Sequence, residues 1–197
     1  MALERPTLKT KEDYDRYYSV GGFPYAKEST RKFLMDVVKI HELPNTFNQK
    51  LTLLDLGCGN GFLSDIFAEW FDVIGIDQST VGIEKARLKV PTAKFIEGNV
   101  LEHNEKYDIV YNRACCIANY PTSSDQFKAN LKHCVSLANK VFYFSEWSRA
   151  DMFNTYDGRW HYKNPDEVLQ EMKKYGNATM LYDSSICNYV GRIDLWK

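Results

Sequence analysis

The chain has 197 residues, 44% of them hydrophobic and 26% charged, with 25 basic against 26 acidic side chains and a net charge of -1. That balance suits one soluble globular domain, 1–197, and excludes nucleic-acid binding driven by overall positive charge. No apolar stretch approaches the roughly 18 residues of a membrane span, and the N-terminal MALERPTLKTKED is charged throughout, without the apolar core of a signal peptide. Five cysteines, at 58, 115, 116, 134 and 187, show no CxxC spacing. They point to a reduced, cytoplasmic protein without a structural zinc site. Neighbouring Cys115 and Cys116 have the chemistry to bind a soft metal, but small apolar residues at a buried strand end would read the same way.

The elements follow in chain order. KEDYDRYYSV (11–20) predicts an aromatic-rich helix, broken by Gly21-Gly22 and Phe23-Pro24-Tyr25. A second helix is expected from a Ser29-Thr30 cap through FLMDVVKIHEL to Pro44, so that 1–45 forms an N-terminal helical lid region and 51–197 the core. LTLLDL then reads as a short buried parallel strand, and NGFLSDIFAEW follows with helical spacing. FDVIGID is a strand, STVGIEKARLK a helix with a Ser/Thr start, and AKFIEG and YDIVYNR two further strands. SSDQFKANLKHCVSLA predicts a helix and KVFYFSE a fifth strand. After a long connection, PDEVLQEMKKYG carries proline in its first turn and glycine past its end, as helices do. NATMLYDSS and NYVGRIDLWK close the chain as two antiparallel neighbours. Strands alternating with helices give an α/β fold. It is a doubly wound, Rossmann-like, mostly parallel seven-stranded sheet with an antiparallel C-terminal strand and helices on both faces. Ligands of such sheets sit beyond the carboxyl ends of the strands, where the stretch LGCGNG falls.

Gly57, Gly59 and Gly61 alternate with Cys58 and Asn60 directly after Asp55. A phosphate-cradling loop needs G-x-x-x-x-G-K-[ST], and no lysine follows here. The dinucleotide pattern G-x-G-x-x-G places its third glycine on Phe62 or on Ser64, depending on register, and fails in both. The pattern that fits is acid-x-Gly-x-Gly-x-Gly, Asp55 to Gly61, with a second acid, Asp77, ending the next strand.

On these residues the sequence resembles class I S-adenosylmethionine-dependent methyltransferases, well over 51–145 and by topology in the tail. The resemblance implies S-adenosyl-L-methionine as cofactor and S-adenosyl-L-homocysteine as product. It places Asp77 on the ribose hydroxyls, Gln78 along the adenine edge, and Gly98-Asn99-Val100 at the adenine-binding turn. Asn99 departs from the aspartate more usual there. A carboxylate such as Asp77 can accept both hydroxyls of a ribose in charge-assisted bonds. Asp55 would favour the cofactor ammonium through water or hold the glycine loop, and the backbone carbonyl of Asn112 would face the ammonium. The alternative for Asp55 and Asp108 is that they only cap loops or helices. DYDRYYSVGGFPYAKES is similar to the aromatic opening helix of small-molecule members. It implies a hydroxyl from Tyr18 or Tyr17 on the cofactor carboxylate, against the alternative that both merely pack on the sheet edge.

For the acceptor, the segments ACCIANYPT and EWSRADMFNTYDGRWHYK follow the fourth and fifth strands. Trp147, Phe153, Tyr156, Trp160, His161 and Tyr162 suit an apolar small-molecule pocket, and equally the stacking of single-stranded bases. Asn119-Tyr120-Pro121 is only a superficial echo of the Pro-Pro-Tyr motif of amino-methylating DNA enzymes. Methyl transfer depends mostly on alignment, and a general base matters only for an acceptor protonated at neutral pH. Glu146 and His161 are the candidate bases, though a lone histidine such as His161 reads more readily as a surface residue with no catalytic role. No spacing specifies a metal. The sequence predicts a methyltransferase for a small-molecule acceptor, with a nucleic-acid or protein methyltransferase and a non-catalytic cofactor-binding module as the alternatives.

Overall fold

The computed structural model describes residues 10–22, 27–43, 49–113, 115–117, 121, 123–147, 165–183 and 188–196. Seven strands form one sheet: β1 Thr52–Leu56, β2 Asp72–Asp77, β3 Lys94–Glu97, β4 Tyr107–Arg113, β5 Ala138–Trp147, β6 Asn177–Asp183 and β7 Asn188–Asp194. Their order is β3-β2-β1-β4-β5-β7-β6. The pairings from β3 to β5 are parallel, and β7 runs antiparallel to both β5 and β6. The helices are α1 Lys11–Ser19, α2 Lys27–Asp36, α3 Phe62–Phe67, α4 Thr80–Lys89, α5 Ser124–Ser136 and α6 Pro165–Met172. No described helix is long and apolar enough to cross a membrane.

Strand order reverses between β1 and β4. The crevice at their carboxyl ends is where a doubly wound sheet takes its ligand. Leu53, Val73, Ile109 and Val141 bury one sheet face against Leu34 of α2 and Leu63, Ile66 and Phe67 of α3. Leu54, Val110 and Phe142 bury the other against Phe127 and Leu131 of α5 and Val168 and Met172 of α6. At the entry end, Asp108 Oδ2 accepts the N–H and the hydroxyl of Thr52 at 3.0 and 3.1 Å, while its Oδ1 meets Lys140 Nζ at 3.0 Å. Asp108 therefore ties three strands together at the end opposite the glycines.

The helix starts follow side-chain capping. Thr10 and Asp13 form a capping box on α1, and Ser79 and Ser123 accept N–H groups in the first turns of α4 and α5. The second helix departs from expectation. Its described part begins at Lys27, so Ser29 and Thr30 lie inside it rather than ahead of it, and it ends at Asp36 rather than running to Pro44. Lys39 takes a left-handed conformation (φ 52), and a 3₁₀ turn, Ile40–Glu42, follows. A left-handed residue cannot continue a right-handed helix.

Candidate functional site

The glycine loop leaves β1 and is fixed to β2. The Gly57 and Cys58 N–H groups both donate to the Ile76 carbonyl, at 2.8 and 3.0 Å. Gly57, Gly59 and Gly61 all have positive φ, at 73, 52 and 75°. Gly61 caps the start of α3 in that conformation. At two of the three, a side chain of the protein fills the space that a Cβ would take. A Cβ on Gly57 would collide with Cys115 Sγ, and one on Gly59 with the Tyr18 hydroxyl. The bare backbone is thus approached from one side by the loop after β4 and from the other by α1.

Asp77, last residue of β2, stands at the centre of the arrangement. Its Oδ2 accepts the Gly59 N–H at 2.9 Å and its Oδ1 the Ser79 N–H at 2.8 Å, and its own carbonyl accepts the Gly98 N–H at 2.9 Å. The carboxylate is 7% exposed. Burial raises its pKa, and the N–H groups of Ser79, Gly59 and Gln78 pull the other way. With these three N–H groups on about four acceptor sites, the carboxylate keeps acceptor capacity for a ligand's hydroxyl.

Asp55 lies deeper. Its Oδ2 accepts the Ser64 hydroxyl at 2.6 Å, and the residue is 1% exposed. Burial pushes its pKa up to about 7, with the nearby Asp77 charge adding to the rise and Ser64 opposing it. So placed, Asp55 anchors the first turn of α3 beneath the loop.

Helix α1 lies over α4. Asp15 Oδ1 accepts the Ser79 hydroxyl at 2.6 Å and the Val81 N–H at 3.1 Å, Lys11 pairs with Glu97 at the end of β3, and Lys85 Nζ donates to the Tyr18 carbonyl. Of the two candidate tyrosines, Tyr18 is 5% exposed with its hydroxyl against Gly59, whereas Tyr17 is half-buried with its ring edge-on to Tyr18 at 6.0 Å.

The remaining predicted residues divide. Val100 is buried, with its carbonyl 3.2 Å from His133 Nε2. Asn99 is exposed and turned toward its own loop. Its Oδ1 accepts the Leu101 N–H at 3.0 Å and its Nδ2 donates to Glu102 at 2.9 Å. Asn112, near the end of β4, is fully buried; its Nδ2 meets Cys116 Sγ at 3.8 Å and its Oδ1 has no hydrogen-bond partner. Gln78 is half-buried next to Asp77. Cys116 is fully buried, 3.5 Å from Cys134 Sγ, as a packing residue would be. Glu146, in register with Tyr189, is partly buried near the end of β5. His161, with Phe153, Tyr156, Trp160 and Tyr162, lies outside the described residues.

The sequence reading missed Asp15, Ser64 and Cys115 at this site. Ser64 sits one helical turn after the glycines, close enough to have been paired with Asp55. Asp15 carries no such signal, because its partner Ser79 is 64 residues away.

The donor set fits an adenosine-type cofactor. It offers a carboxylate with acceptor capacity to spare, a bare loop beside it, and at Asn112 an orphaned buried oxygen on the neighbouring strand. Residues 47–189 match the family model described as a methyltransferase domain, and the chain belongs to that family. Its strand order and glycine loop make it a class I S-adenosylmethionine-dependent methyltransferase. The chain is similar in fold to magnesium protoporphyrin IX methyltransferase from Synechocystis with bound S-adenosyl-L-homocysteine (SAH). That match has 19% identity over 92% of this chain and 93% of that one, with a TM-score of 0.63. It is also similar to the N-methyltransferase NodS from Bradyrhizobium japonicum in complex with SAH, at 12% identity over 93% and 97% of the two chains and a TM-score of 0.66. A third is an S-adenosylmethionine-dependent methyltransferase from Clostridium acetobutylicum, at 14% identity over 94% and 97%, again with a TM-score of 0.66. No curated protein matches the chain.

Proposed function

We propose that the protein transfers the methyl group of S-adenosyl-L-methionine to a small-molecule acceptor. The observation that carries this reading is the buried Asp77 carboxylate, held on the Gly59 N–H at 2.9 Å with acceptor capacity to spare. Bound there, the cofactor supplies a methyl group activated by a sulfonium leaving group.

The chain's own residues then bind and orient. Asp77 accepts the ribose hydroxyls, and its attachment to Gly59 fixes loop and acid as one unit, so little reorganisation accompanies binding. Gln78, Asn99 and Val100 line the adenine edge, with Asn99 first releasing Glu102. Gly57 and Gly61 keep the loop's backbone in shape, and Asp55 holds that loop from below through Ser64. Asn112 faces the amino-acid end, and Tyr18, pressed onto Gly59, covers it and excludes water. Such positioning accounts for most of the acceleration an in-line displacement needs. Glu146 and His161 are the candidate bases for an acceptor that must lose a proton, and Trp160 and its neighbouring aromatics shape the acceptor pocket.

A near-neutral chain favours a small acceptor over a polyanion. One structural relative has magnesium protoporphyrin IX, a small molecule, in its name. The free thiols of Cys58, Cys115, Cys116 and Cys134 suit a reduced, cytoplasmic setting. A metabolite screen with labelled cofactor, repeated at two salt concentrations and on Trp160→Ala, tests the acceptor class. A labelled small product, with turnover that changes little with salt and falls in the variant, is expected. Labelling confined to nucleic acid, with activity falling steeply as salt rises, would overturn it.

A further inference from the structure

One helix braces two of the loops at the carboxyl ends of the strands. Helix α5 carries Asn130 and His133, both partly buried, at a spacing that puts their side chains on one face. Each donates to a backbone carbonyl outside its own helix. Asn130 Nδ2 reaches the Cys116 carbonyl, past the end of β4, at 2.8 Å, and His133 Nε2 reaches the Val100 carbonyl, past the end of β3, at 3.2 Å. A carbonyl only accepts, so it is Nε2 of His133 that carries the hydrogen. The helix is a firm base for both bonds, because Phe127, Leu131 and Cys134 bury it against the sheet.

Each braced carbonyl belongs to a segment of the cofactor site. Val100 follows Gly98, whose N–H is held by the Asp77 carbonyl at 2.9 Å, and the turn is closed by the Leu101 N–H on Asn99 Oδ1 at 3.0 Å. The Val100 side chain sits in the core and its carbonyl is fixed by His133, so the direction of its N–H is fixed too. Among the described residues no hydrogen bond takes up that N–H. On the other segment, Cys116 Sγ lies 3.5 Å from Cys134 Sγ of α5, and its neighbour Cys115 fills the space over Gly57.

We propose that Asn130 and His133 are positioning residues for the two ends of the cofactor. His133 aims the Val100 N–H at the purine edge, and Asn130 holds the Cys115–Cys116 segment over Gly57, beside the amino-acid end. Carried on one rigid helix, the two bonds set the distance between the adenine turn and that segment, so the cleft is shaped before the ligand arrives. This inference rests on the methyltransferase reading and adds to it two residues that touch neither cofactor nor acceptor.

The test titrates the full chain, as wild type, His133→Phe, His133→Gln and Asn130→Asp, with SAH, S-inosyl-L-homocysteine and 5′-methylthioadenosine. Hypoxanthine carries a hydrogen on the ring nitrogen where adenine offers an acceptor, so the affinity ratio of SAH to the inosyl compound reads the purine edge. Methylthioadenosine lacks the amino-acid end, so the ratio of SAH to it reads that end. His133→Phe removes the donor and lowers the first ratio by about three- to tenfold, the effect of one lost hydrogen bond, while the second stays unchanged. Asn130→Asp keeps the shape but sets an acceptor against the Cys116 carbonyl, and it lowers the second ratio while leaving the first. His133→Gln retains an N–H donor and restores the first ratio. A general loss of stability weakens all three ligands together and moves neither ratio.

Should one of His133→Phe and Asn130→Asp fail to fold, the other decides alone. The proposal is overturned if the folded variants keep both wild-type ratios, if each variant moves both ratios alike, or if His133→Gln behaves as His133→Phe does. Failure of SAH to bind wild type would instead strike at the methyltransferase reading itself.

Discussion

Asp77 and Gly59 are joined by a 2.9 Å hydrogen bond from the glycine N–H to the carboxylate, 18 residues apart in sequence and at the ends of neighbouring strands. The acid is therefore both a ligand group and a structural clasp on the loop. Asp77→Asn keeps one acceptor oxygen but loses the charge, and Asp77→Ala loses both. SAH affinity is expected to fall by about 1.5–3 kcal/mol in Asp77→Ala and by less in Asp77→Asn, the range for hydrogen bonds to charged groups. Calorimetric titration of the three proteins measures it, and equal affinities would remove Asp77 from the site.

Among the ties that hold helix α1 on α4 is Asp15, which serves Ser79 and the Val81 N–H at once. Asp15→Ala should cost about 0.5–2 kcal/mol of local docking, as removal of a helix cap does. Amide exchange over 11–19 should rise while that of β1 and β4 stays unchanged. If cofactor binding orders the helix, adding SAH lowers exchange there in wild type. Identical exchange in free and bound protein would count against Tyr18 as a cover.

The Asp55 carboxyl titrates near pH 7 in the folded protein and near 3.8 in an unfolded chain. Below both values the group is protonated in either state and contributes nothing to pH dependence. Between them the folded state holds a proton that the unfolded chain has released, so stability falls as pH rises, and above about 7 the loss is complete. The difference is on the order of a few kcal/mol. Asp55→Asn should retain the Ser64 bond and gain on wild type progressively from pH 4 to pH 8 in denaturant melts. A constant difference across that range would show that Asp55 is ionised throughout.

Asp108 makes the opposite case. Burial would raise its pKa, but the Thr52 N–H, Lys140 and the Thr52 hydroxyl outweigh it and hold the group below its ordinary value. Its stabilisation is present above the unfolded pKa and fades as pH falls through the lower folded one. Asp108→Ala should cost about 1–3 kcal/mol of stability at neutral pH with SAH affinity intact, since it clasps the far end of β1, β4 and β5. A large loss of cofactor affinity in a folded Asp108→Ala protein would contradict that placement.

The residues legible in the sequence were those whose signal is local. LTLLDL followed by glycines, and an acid at the end of the next apolar run, each declare themselves within about ten residues, and strand alternation did the rest. What escaped depends on distant partners. Asp15 meets Ser79 across 64 residues, and Cys115 fills the space over Gly57 from another strand's loop. The α2 boundaries escaped because serine and threonine are tolerated inside a helix as well as before it, and because no propensity marks Lys39 as left-handed.

The most direct measurement of the central claim is a parallel titration of the purified protein with SAH and with a nicotinamide dinucleotide. Both carry a ribose diol that an acid such as Asp77 could accept, but only the dinucleotide needs a phosphate-cradling loop, which the register of Gly57, Gly59 and Gly61 does not supply. The account predicts saturable binding of SAH, sensitive to Asp77→Ala, with no comparable affinity for the dinucleotide. Tight binding of the dinucleotide, or the absence of any binding by SAH to folded protein, would contradict it.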